Sequence, residues 1–137
     1  MCIRDRVYTG THDNNTTRGW FEELQPDQRQ IVWRSLNRPG CESGDATPAL
    51  LHLAWSSAAA LALAPLQDLL NLGSDARMNV PGTAEGNWTW RFEWEQLTPA
   101  IEKKLSELTV TYERKSANHL NREDMATKSQ ETQKVWG

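Results

Sequence analysis

The chain has 137 residues, 38% of them hydrophobic, and a formal net charge of −3. Its 15 Lys and Arg form no cluster on a periodic face, which excludes the electrostatic footprint of a nucleic-acid binder and suits a neutral ligand. Two cysteines, Cys2 and Cys41, stand in no metal-ligating spacing, which argues against a disulfide framework or a zinc site and fits a reducing cytoplasm, and no run approaches the roughly 18 apolar residues a membrane span needs.

The first six residues, Met1-Cys2-Ile3-Arg4-Asp5-Arg6, lack both the apolar core of a signal peptide and the continuous apolarity of a buried parallel strand. They resemble the spurious leader found on translated environmental reads, and 1–6 is set apart on that ground. Val7-Tyr8 then reads as a short strand, followed by the polar loop Thr9-Gly10-Thr11-His12-Asp13-Asn14. In a parallel α/β sheet or barrel, ligands bind beyond the carboxyl ends of the strands, which makes His12 and Asp13 site candidates. The alternative is a turn in which Asp13 and Asn14 bond their own backbone.

Thr16 to Leu24 carries Trp20, Phe21 and Leu24 at helical spacing, with Asn15 or Thr16 as N-cap. Pro26 opens a second helix, with Asp27 favourable at its positive end and Asn37-Arg38-Pro39-Gly40 as its stop. Cys41 to Ala46 is a loop by composition. Thr47-Pro48 begins a third helix whose apolar residues run on into Ala58-Ala59-Ala60; His52 within it is structural or solvated. Leu61 to Leu66 has the uniform apolarity of a strand buried on both faces, and Pro65 argues against more helix there.

Asp68 to Gly73 is expected to form a short helical turn closed by glycine. Ser74 to Gly86 is a long irregular loop, a kind of segment that is usually functional or disordered. Within it Arg77 has five donors with which to lock neighbouring carbonyls or carboxylates. Trp88 to Glu95 alternates aromatic with polar, so that Trp88, Trp90, Phe92 and Trp94 share one face of a half-buried extended segment. A sugar-binding ribbon gives the same pattern; core packing is the expectation here. Thr98-Pro99 opens a last helix with Ile101, Leu105, Leu108 and Tyr112 on one stripe, and 113–137 is too polar to offset its ordering entropy, so a flexible tail is expected.

Three stretches stand in order: Thr11-His12-Asp13-Asn14; Ala64-Pro65-Leu66-Gln67-Asp68-Leu69-Leu70; and Arg77-Met78-Asn79-Val80-Pro81-Gly82-Thr83 with Asn87-Trp88-Thr89-Trp90-Arg91. From about Val7 to Leu108 this pattern resembles the carboxyl-terminal part of the 4-alpha-glucanotransferases, also called amylomaltases or disproportionating enzymes. The resemblance implies an α/β fold, namely the last two strands and their helices of a (β/α)8 barrel, with 7–112 as the barrel portion. A complete barrel takes roughly 250 residues, so the amino-terminal part of the same barrel is the implied partner. It also implies a retaining transfer of α-1,4-glucan segments to glucose or maltooligosaccharide acceptors, with no metal or redox cofactor.

Retaining glycosyl transfer uses a carboxylate nucleophile and a second carboxyl as acid then base, about 5 Å apart. By resemblance both lie on earlier strands and outside this sequence. What matches is a third carboxylate: Asp13 corresponds to the transition-state stabiliser, His12 to a histidine holding hydroxyls of the same sugar ring, and Asn79 to a residue of a glucose subsite. Asn14, Asp68 and Arg77 are expected to serve structure at the barrel rim. A second reading, from the tryptophans and the missing nucleophile, is a non-catalytic sugar-binding or scaffold fragment.

Overall fold

The computed structural model describes residues 5–38 and 42–114. Strand β1 (Arg6–Tyr8) pairs in parallel with β2 (Leu61–Leu63), in the register Arg6↔Leu61, Val7↔Ala62 and Tyr8↔Leu63. Parallel neighbours need a long crossover, and here it is filled by three helices: α1 (Thr17–Glu23), α2 (Pro26–Ser35) and α3 (Ala46–Trp55). After β2 come a single turn, α4 (Leu66–Leu69), a long irregular segment, and α5 (Pro99–Thr111). Among the described residues no helix is long and apolar enough to cross a membrane.

Local chemistry explains the helix starts. Thr16 Oγ1 accepts from the Gly19 amide at 3.1 Å, which caps α1. Pro26 occupies the first turn of α2, where its missing N–H costs nothing, and Asn37 ends that helix region in the left-handed conformation (φ 53°). Pro99 plays the same part in α5 as Pro26 does in α2.

Helix α3 divides the interior in two. Ala46 and Ala49 pack with Phe21 of α1 and Trp33 of α2, while Leu51, Ala54 and Trp55 pack with Leu108 of α5. Val7 and Ala62, the middle residues of the two strands, lie against this second cluster. Strand side chains alternate between faces, so Tyr8 and Leu61 turn the other way and are 49% and 47% exposed. The expectation that Leu61 to Leu66 is buried on both faces is therefore corrected: helices cover one face of these two strands. The strand is also shorter than expected, because the chain already turns helical at Leu66.

Other differences are local. Ser43–Asp45 is a 3-10 turn where a loop was expected, and α3 starts at Ala46, ahead of Pro48; Cys41 lies outside the described residues. Helix α3 ends at Trp55 and does not run into Ala58-Ala59-Ala60. Arg114 meets the chain there: its guanidinium donates to the carbonyl of Trp55, the last residue of the helix, and to those of Ser57 and Ala59 beyond it, at 2.6, 2.7 and 2.9 Å, so that the Trp55 carbonyl the helix leaves unpaired is satisfied. The rest of the stretch expected to be a flexible tail, 115–137, lies outside the described residues, as do residues 1–4 of the segment set apart as a leader; Arg6, its last residue, opens β1.

The Trp88 to Glu95 stretch forms no strand. Gly86 and Trp88 both take positive φ (78° and 62°), which breaks the extended run, and Trp94 begins a 3-10 turn, Trp94–Gln96. Its rings are not core: Trp88 is 53% and Trp94 77% exposed, with Phe92 edge-on to Trp94 at 5.3 Å.

Candidate active site

Beyond the carboxyl end of β1 the ladder runs one residue further, with the Thr9 amide donating to the Leu63 carbonyl at 3.2 Å. The chain then folds back sharply. Asn14 Oδ1 accepts from both the amide and the hydroxyl of Thr11, each at 2.9 Å, and the Asn14 amide returns to the Thr11 carbonyl at 3.1 Å. Asn14 is thus the residue that shapes the turn, as the turn alternative foresaw for it. That leaves the side chains of His12 and Asp13 outside the turn's own hydrogen bonding.

Asp13 is met by the segment after α4. Asn79 Nδ2 donates to Asp13 Oδ1 at 2.7 Å, and His12 Nε2 lies 3.3 Å from the same oxygen. The two segments are also joined through backbone, with the Asn79 amide donating to the His12 carbonyl at 3.1 Å. Among the described residues no donor reaches Asp13 Oδ2, so this carboxylate keeps an acceptor for a ligand hydroxyl. Arg77 is the clasp: Nη2 donates to the Asp13 carbonyl and Nε to the Asn79 carbonyl, both at 2.8 Å. It orients the two site residues without spending their side chains.

Asp68 stands beneath this layer, 1% exposed. Its Oδ2 accepts from the hydroxyls of Thr9 (2.6 Å) and Thr17 (2.7 Å), and its Oδ1 from the Thr17 amide (2.9 Å). A negative group here meets the unpaired amides and positive end of α1. Its hydrogen bonds are buried ones to other elements and not a cap of its own helix, since α4 begins two residues earlier, behind Pro65. Thr9 and Thr17 were not foreseen as its partners, and a single threonine carries no signal that would have revealed them.

His12, Asp13, Asn79 and Arg77 therefore come together beyond the ends of two neighbouring parallel strands, with Asn14 and Asp68 supporting the loop that bears the first two. A hollow of about 180 Å³ opens beside them, lined among others by Thr11, His12, Gln67, Met78 and Trp88. The rings of His12 and Trp88 lie 5.2 Å apart with a 35° tilt. Trp88 is the neighbour that reasoning from periodicity missed, having been given to the core. A larger hollow of about 780 Å³, walled by Phe21, Trp33, Arg29 and Arg34, lies away from the strand ends. Among the described residues no group of three His, Cys, Asp or Glu is placed to hold a metal ion.

Residues 4–98 match the family model described as 4-alpha-glucanotransferase. The chain is 52% identical over 110 residues to a 4-alpha-glucanotransferase of Synechocystis sp., a match covering 80% of this chain and 21% of that protein. It is 45% identical over 113 residues to one of Streptococcus pneumoniae, covering 82% and 22%. The solved amylomaltase from Streptococcus agalactiae in complex with acarbose superposes with a TM-score of 0.74 at 35% identity, covering 81% of this chain and 22% of that one. The chain thus spans about a fifth of the length of these relatives. With a family model matched over residues 4–98 and a relative 52% identical, this chain belongs to the 4-alpha-glucanotransferase family.

Proposed function

We propose that this chain is the part of a retaining 4-alpha-glucanotransferase that supplies the last two strands of a (β/α)8 barrel and one carboxylate of its catalytic centre. Asp13 is the stabiliser, bonding hydroxyls of the reacting ring and facing the positive charge that develops there; His12 and Asn79 hold hydroxyls of the same substrate. The nucleophile and the acid/base come from the rest of the barrel, and so does the cover for the exposed face and edges of β1 and β2. Donor and acceptor are α-1,4-glucans, and a sugar hydroxyl takes the place of water as the attacking group.

The observation that carries this reading is the Asp13 carboxylate itself, held through Oδ1 by the Asn79 amide, with His12 Nε2 3.3 Å from the same oxygen, while Oδ2 is left to a ligand. A stabiliser acts by being held in place before charge appears, and this one is held by a loop that Arg77 and Asn14 keep in shape. The test is a chimera in which this chain replaces the matching segment of the Synechocystis enzyme. Asp13→Asn in that chimera is expected to lower kcat by about 10²–10³ with little change in KM, as for removal of one preorganised group acting on the transition state. A folded, active chimera whose turnover ignores the substitution would assign the loop to scaffolding.

A further inference from the structure

Trp88 breaks two rules at once. It is a bulky residue in the left-handed backbone region (φ 62°), a conformation that glycine takes freely and tryptophan seldom does. Its ring is also 53% exposed and belongs to neither buried cluster, so burial of apolar surface does not account for keeping it there. Such strain survives only where the surroundings impose it, and it gathers at ligand-binding positions.

The surroundings do impose it. The Trp88 amide donates to the Met78 carbonyl at 2.7 Å, and the Trp88 carbonyl accepts from Arg91 Nη1 at 2.9 Å. One residue back, Asn87 Oδ1 accepts from the Val80 amide at 2.8 Å, so the whole loop is closed onto the segment that carries Asn79. The result is an indole on a fixed backbone, beside His12 and on the rim of the same hollow.

We propose that Trp88 is a stacking platform for a glucosyl ring of the α-glucan, taking its apolar face while the neighbouring polar groups take its hydroxyls. Pyranose rings are amphipathic in this sense, with C–H groups across a face and hydroxyls around the edge. An exposed aromatic face beside a few convergent polar groups is the matching surface. The inference rests on the glucan reading above and adds to it a residue that positions substrate.

The test uses the chain as it is, labelled at all its nitrogens so that indole, histidine-ring and asparagine-amide signals are each followed, and titrated with maltotriose, and with sorbitol as an acyclic polyol control. Trp88→Phe identifies the Trp88 signal by its loss. That signal is expected to shift saturably with maltotriose and not with sorbitol, together with the His12 ring signals, while Trp94, which is more exposed but does not line the hollow, stays in place. Trp88→Ala should weaken maltotriose binding read at His12 by about tenfold, and Trp88→Phe by less. Should Trp88→Ala not fold, the titration of the unaltered chain still decides. Shifts at His12 and Asn79 with Trp88 unmoved, or Trp94 moving just as Trp88 does, would overturn the stacking role and leave the glucan site standing. Silence at all of them would remove the glucan site as well.

Discussion

Asp68 offers the sharpest test of how the site is built, because one buried carboxylate ties the loop after β1, the start of α1 and the turn after β2. Asp68→Ala would strip acceptors from the Thr17 amide and from two threonine hydroxyls. Thr17 is buried, so its amide has no water to turn to, and an unpaired buried donor costs about 1–3 kcal/mol. Hydrogen bonds to a charged acceptor contribute roughly 1.5–3 kcal/mol each, against roughly 0.5–1.5 for neutral ones. The hydroxyls can rotate toward other partners, so the three losses are not additive, and the expected total for alanine is about 3–5 kcal/mol. Asp68→Asn keeps one oxygen for the Thr17 amide and is expected to cost about 1–3 kcal/mol through lost charge assistance. Urea unfolding followed by circular dichroism would measure both, with Asp13→Asn as a control that should move the midpoint little because Asp13 is exposed. An Asp68→Ala midpoint within error of the unaltered chain would refute the view that this carboxylate holds the three segments together.

Gly19→Ala should destabilise the chain by about 1–3 kcal/mol, although alanine is the better helix former, because a Cβ at this position would come 2.9 Å from the Ser74 backbone nitrogen and closer still to the Ser74 hydroxyl; a gain in thermal stability would contradict that packing. Burial lowers the pKa of the Lys104 ammonium from its usual 10.5, so the folded chain releases this proton at lower pH than the unfolded chain does. The cost of burying the charge is then present in full below the lowered value and disappears as pH rises to 10.5. Lys104→Met should raise stability near neutral pH and flatten the rise that the unaltered chain shows on the alkaline side, both measurable by urea titration across pH.

Much of the architecture was legible because its signals are local. Thr16 as cap, Pro26 and Pro99 at helix starts, and an apolar run ahead of Pro65 each act within one turn of chain, and the structure has each of them in its expected place. Asn79 was named through the family resemblance, and it meets Asp13 because loops at one end of neighbouring parallel strands lie together. What escaped depends on partners far along the chain. The carboxylate of Asp68 and its two threonines, and the carbonyls gathered by Arg114, join residues more than fifty positions apart. The aromatic alternation from Trp88 to Trp94 misled for the opposite reason. Period two describes an extended segment only if something lies alongside to pair with it, and here Asn87 and Arg91 bond locally and turn the backbone out of the extended region.

The pairing of β1 with β2 also bears on what stabilises the sheet. Only three residue pairs join strands that lie some 55 positions apart. Closing a flexible loop of that length costs on the order of 3–4 kcal/mol before any constant is added, about what three ladder rungs at roughly 0.5–1.5 kcal/mol each return. The pairing alone therefore leaves little net stability. Packing of α1, α2 and α3 around Phe21 and Trp33 shortens the effective span, and Val7 and Ala62 lie against the cluster of Leu51 and Trp55. The end of the sheet that carries His12 and Asp13 thus depends for its stability on the helical base beneath it.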